Sequence, residues 1–91
     1  MDLDDLLKQV NSKETFLEFV SALMKDKIDE DEKEKNNPSS PYSSGHNGWE
    51  NNTIAMYLES IHAYGEDNEM ITAEPNWNSF ALLLYSGKFY E

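Results

Sequence analysis

The chain is 91 residues long and carries seven lysines, no arginine and eighteen acids, a formal net charge of −11 at pH 7. Such a field repels nucleic acid and anionic membranes, since both are bound through cationic side chains, and neither is expected as a partner. No cysteine is present, which removes disulfide staples and thiolate metal sites, so one small domain over residues 1–91 must stabilise itself by packing.

The opening "MDLDDLLKQV" is acidic where a secretory signal is basic. The longest apolar run, Phe80 to Tyr85, is too short to cross a bilayer. A cytoplasmic location is expected.

Leu3, Leu6, Leu7 and Val10 fall at the spacing of one helical face. Asp2, Asp4 and Asp5 suit the positive end of that helix. Asn11 or Ser12 restarts the chain as a cap, with Glu14 in the capping-box position relative to Asn11. A second helix follows, with a broad apolar stripe of Phe16, Leu17, Val20, Leu23, Met24 and Ile28. Beyond Ile28 the stripe gives way to "DEDEKEK". Asp29 with Lys33 and Asp31 with Lys35 have the spacing of stabilising helical pairs, so the helix either runs on to about Lys35 as a solvated extension or dissolves into disorder.

Residues 36–48 read as an acidic-flanked, partly flexible loop of Pro, Ser, Gly and Asn in which only Tyr42 offers an anchor. Ile54, Tyr57, Leu58, Ile61 and Tyr64 then mark a third helix, capped by Asn52 or Thr53 and stopped at Gly65. Trp49 precedes it, placed to fold over the first turn as a staple or to stand out as a binding anchor; the staple is the preferred reading. Met70 to Thr72 has the look of a short extended piece. A fourth helix begins at Pro75 or is capped by Asn76, with Trp77, Phe80, Ala81 and Leu84 on its core face and Gly87 at its end. The expected fold is all-α, a small bundle of about four helices.

Sites for chemistry are sparse. His46 and His62 are isolated, and the Asp29–Asp31–Lys33 run fails as a calcium loop because lysine stands at a ligand position and Glu34 where glycine is required. Ser43, Ser44 and His46 lie together in a loop with nothing to orient them. His62 reads as a satisfied residue at the edge of the buried stripe, and Asn51-Asn52-Thr53 as capping material rather than a glycosylation acceptor. No cofactor, metal or catalytic residue is assigned.

Three stretches carry a resemblance: "GWENNTI" at a helix start, "NW" followed by "FALLL", and the ending "GKFYE". Together with "FLEFVSALMKD" they resemble a family of small uncharacterised bacterial domains that pairs a Trp-Glu-Asn-Asn-Thr helix start with a Gly-Lys-x-Tyr-Glu end. Ala55 and Met56 stand where acids are expected after "TI". The resemblance implies a fold and a bacterial origin, without an activity, and directs attention to Trp49, Glu50 and Tyr90.

The expected function is that of a non-enzymatic interaction protein with a basic protein partner, in its most concrete form an immunity-type inhibitor of a cationic toxin. The candidate surface comprises Asp26, Asp29, Glu30, Asp31, Glu32 and Glu34 with Glu66, Asp67 and Glu69. A second expectation is an accessory domain that binds through exposed aromatics, Trp49 and Phe89 to Glu91. A DNA mimic, requiring two rows of carboxylates, is a third.

Overall fold

The computed structural model describes residues 2–40, 45–68 and 74–90. Four helices account for most of them: α1 (Leu3–Lys8), α2 (Lys13–Asn36), α3 (Ile54–Asp67) and α4 (Trp77–Phe89). The all-α expectation holds. Tyr42, Glu69, the Met70–Thr72 piece and Glu91 lie outside the described residues.

Each helix starts on a side-chain cap. Asp2 accepts from the Asp5 N–H at 2.9 Å, Thr53 from Met56 at 3.1 Å and Asn76 from Ser79 at 2.7 Å, satisfying donors that have no partner within the helix. The cap of α2 is Ser12, and its box closes with Thr15 instead of Glu14: the Thr15 hydroxyl accepts the Ser12 N–H at 3.0 Å while Ser12 accepts the Thr15 N–H at 3.2 Å. A short hydroxyl thus does what a longer carboxylate was expected to do.

α4 is the hub. It touches each of the other helices, α1 also packs on α2, and α3 meets α4 alone. Segment 45–52 runs between α2 and α3 and supplies Trp49, which joins Val10, Phe19, Leu23 and Ala81 as the buried apolar core. Leu3, Leu6, Leu7, Phe16, Tyr57, Leu84 and Tyr85 pack around it.

Two stripes are phased differently from expectation. On α2 the inward row is Phe16, Phe19 and Leu23, continued by Asp26 and Glu30, whereas Leu17, Met24 and Ile28 point outward with about half their surface exposed. The broad stripe is really two rows, and Phe19, fully buried, belongs to the one that faces α4 and α1. On α3 the inward row is Tyr57, Ser60, Ile61 and Tyr64, leaving Ile54 and Leu58 exposed. Ser60 faces in because its hydroxyl is needed there: it accepts from Asn51 at 2.7 Å and donates to the Tyr90 carbonyl at 2.6 Å.

The expected helix stops are also displaced. α3 passes through Gly65 to Asp67, and α4 passes through Gly87 to Phe89. Gly87 serves close approach: a Cβ there would lie inside the Tyr57 ring, whose hydroxyl donates to the Leu84 carbonyl at 2.7 Å. Trp77 and Phe80, expected in the core, are each about two-fifths exposed. They sit on the first turn of α4, where Trp77 rests against Phe16 with ring centroids 5.3 Å apart. Burial along α4 instead rises toward Ala81, Ser86, Gly87 and Lys88.

Candidate functional site

The charged end of α2 is where the sequence placed a solvated extension, and there the outcome differs most. The helix does run on, to Asn36, but Glu30 is only 1% exposed. One of its carboxylate oxygens accepts two backbone donors, the Asn47 N–H at 3.0 Å and the Trp49 N–H at 3.1 Å. Lys27 lies 3.9 Å from the other oxygen. Gly45 closes over the same carboxylate so tightly that a Cβ would overlap it. The inward row of α2 therefore never ends. It changes chemistry from apolar to carboxylate because it changes partner, from helix side chains to the amides of a loop.

That loop is shaped to meet it. The Gly48 N–H donates to Gly45 at 2.9 Å, closing a turn, and Gly48 has φ of 87°, a left-handed conformation that favours glycine. Asn47 adds side-chain bonds to the Asp26 carbonyl at 2.9 Å and to Asp29 at 3.1 Å. The Lys33 ammonium, then the Asn47 amide, hold the Asp29 carboxyl below its ordinary range. Glu34 accepts from the Ser39 N–H at 2.8 Å, the Ser39 hydroxyl at 2.6 Å and the His46 N–H at 3.2 Å. Ser39, first through its hydroxyl, lowers that carboxyl as well.

Asp26 forms the second knot. A single oxygen accepts from the Trp49 indole N–H at 2.8 Å and from the Lys88 ammonium at 2.8 Å. Lys88 is itself buried, and its ammonium and that of Lys27 each lie 5.7 Å from the Trp49 ring centre. Trp49 stacks on Tyr57 with centroids 6.2 Å apart. The staple reading is thus close to what is found, although the ring serves the whole interior and not just one turn of α3. Glu50, exposed at its side chain, ties its N–H to the Lys88 carbonyl at 2.9 Å. Asn51, buried, donates to Ser60 and to the Gly87 carbonyl at 2.9 Å.

Several candidate binding residues have partners within the fold. Asp26, Glu30 and Glu34 direct their carboxylates to groups of the protein itself, and Trp49 is interior. Asp31 pairs with Lys27 instead of Lys35, and Asp29 pairs with Lys33 at 2.8 Å. Glu32 is exposed on α2. Asp67 accepts from the Tyr90 hydroxyl at 2.6 Å, which raises the phenol above its ordinary value, and the Tyr90 ring meets Tyr64 edge-on at 5.1 Å. Glu66 lies 3.3 Å from His62, which is fully on the surface and not at the edge of a buried stripe.

A depression of about 450 Å³ between α1, α2 and α4 is lined by Asp2, Asp4, Lys25, Asp26, Tyr85 and Lys88. Within it Asp26 and Lys88 satisfy each other, while burial and then the Asp4 carboxylate push the Tyr85 phenol up to about 12. A phenol held so far from neutrality is a poor base or nucleophile precursor. Among the described residues no group of His, Cys, Asp or Glu is arranged to hold a metal ion, and no helix is long and apolar enough to cross a membrane.

Residues 12–91 match the model of a family of unknown function, DUF7660. The chain belongs to that family. No curated protein and no solved structure matches it. The match opens at Ser12, the residue that caps α2, and takes in both knots, so everything that binds loop 45–52 to α2 and α4 lies inside the DUF7660 region. α1 lies before it. Sequence reasoning missed Phe19, Asn51 and the burial of Glu30 and Lys88. Phe16, Phe19, Leu23, Asp26 and Glu30 do keep a helical row, and following that row through its polar members was the available signal.

Proposed function

We propose that this domain is a non-enzymatic protein-binding module whose partner is basic, most concretely an immunity-type inhibitor that neutralises a cationic toxin domain. The observation that carries this reading is the outer face of α3. Ile54, 79% exposed, and Leu58 stand there on a helix that also exposes Glu59 and Glu66 and contains no lysine. Apolar anchors bordered by one sign of charge suit a partner with the opposite sign, the apolar part supplying affinity and the charges speed and orientation. The eight acids of α2 are offset in part by five of the seven lysines, Lys13, Lys25, Lys27, Lys33 and Lys35, which lie on the same helix.

The test is to express the protein encoded beside this gene alone and together with this chain. A basic neighbour that is toxic alone, bound and neutralised by this chain, is the expected result. Its association rate falls steeply as salt rises, and Glu59→Lys combined with Glu66→Lys slows it further while leaving dissociation nearly unchanged. A salt-independent rate that ignores both substitutions overturns the reading.

A further inference from the structure

We infer that two copies of this chain associate through the outer face of α2, packed antiparallel about a two-fold axis midway between Ser21 and Met24. Leu17, Met24 and Ile28 are 51%, 54% and 53% exposed. Spaced by about two and about three helical turns from the first, they form one straight row on a 24-residue helix. Three large apolar side chains in line on a surface are a feature that needs a cover.

The charges around the row indicate what covers it. Lys13, Lys25 and Lys35 border it together with Glu14, Glu18, Asp31 and Glu32, so this strip is close to neutral in a chain of net charge −11. A basic partner finds little to attract it there, whereas a second copy finds a match. In the antiparallel register Leu17 meets Ile28 of the second copy and Ser21 meets its Met24, large against large and small against flexible. Along one edge Lys13 faces Asp31 of the second copy. Along the other, Lys25 faces its Glu18, and Glu14 and Glu32 make the like-charged meeting. Because the two-fold repeats every contact, the favourable pairs outnumber the unfavourable ones. This surface is separate from the α3 face, and the two readings stand or fall independently.

Sedimentation equilibrium of the full chain tests the inference. A monomer–dimer equilibrium is expected that tightens as salt rises, because screening relieves the repulsion between two anionic chains; binding of a basic partner responds with the opposite sign. Met24→Glu weakens dimerisation at least about tenfold, since a carboxylate is then pressed against an apolar row, and its circular dichroism stays that of the parent because the residue is exposed. Lys13→Glu weakens the dimer and Lys13→Glu with Asp31→Lys restores it. Concentration-dependent NMR shifts in the unmodified chain map to Leu17, Ser21, Met24 and Ile28. A chain that stays monomeric at millimolar concentration in high salt overturns the inference, and so does a dimer untouched by Met24→Glu.

Discussion

The two rows of α2 start from similar residues and end in opposite situations. The inner row begins with Phe16 and Phe19 and ends on Glu30, and it is buried or half-buried along its length, with the final acid among its most buried members. The outer row, Leu17, Met24 and Ile28, is entirely apolar and lies half in water. Burial here does not follow hydrophobicity. It follows what stands opposite: α1 and α4 for the first part of the inner row, the amides of loop 45–49 for its last part, and, among the described residues, no other helix for the outer row. An acid with two backbone donors aimed at it is accommodated inside, while an isoleucine without a neighbour stays outside.

The comparison breaks most readily at Phe19. Phe19→Ala empties a site with no exposure at all and is expected to cost about 3–5 kcal/mol by urea denaturation. Leu17→Ala, one residue away on the outer row, is expected to cost about 0.5 kcal/mol or less at concentrations where the chain is monomeric. Similar losses at the two positions would erase the distinction between the rows.

Glu30 is next. Glu30→Ala strands the N–H groups of Asn47 and Trp49 and is expected to cost about 1–3 kcal/mol. Glu30→Gln, which keeps an acceptor oxygen, is expected to lose less. Amide exchange should quicken at Asn47 and Trp49 before it quickens in α4; uniform quickening would mean that the loop is not held by this carboxylate.

Gly87→Ala sharpens the same lesson on α4. In an unconstrained helix this change stabilises by up to about 1 kcal/mol. Here the added methyl meets the Tyr57 ring, and a net loss of about 1–2 kcal/mol is expected from thermal melts. A gain would show that α3 and α4 can part at no cost.

The smallest effect is that of acid on the junction after α2. Glu34 and Asp29 hold their protons less tightly folded than unfolded, so the stability they lend is complete above their ordinary values of 4.5 and 3.8. It is lost as pH falls through the lowered folded values. Protection factors of the Ser39 and His46 amides, taken against their intrinsic exchange rates, should therefore fall on acidification, and Glu34→Gln should flatten that response. An unchanged profile would detach Glu34 from the loop.

Much of the molecule was legible along the chain. Helical periodicity and the caps, narrowed to two candidates each at Asn11 or Ser12, Asn52 or Thr53, and Pro75 or Asn76, follow from local rules, because a helix start depends on residues within one or two turns. The charged run left helix and disorder both open. Phase was harder. Leu17 and Phe16 are nearly equivalent in any tally of apolar residues, and only the position of α4 selects one. Trp77 and Phe80 looked like core for the same reason, and among the described residues the first turn of α4 has no neighbour deep enough to cover them. The carboxylates misled most: an acid on a helix is ordinarily solvated, and Asp26, Glu30 and Glu34 depart from that because a loop distant in sequence brings them donors.

By itself, then, the sequence determined that there would be four helices, where they start, that cysteine chemistry plays no part, and that the surface is anionic. Those properties are local or additive, and a chain has them before it folds. Which row of α2 is inside, that Trp49 is held by Asp26 and Lys88, that Gly87 is a contact and not a stop, and which apolar residues remain uncovered were decided only when segments 19 to 62 residues apart met. Burial and pairing are properties of what lies opposite, and that is fixed by the tertiary arrangement.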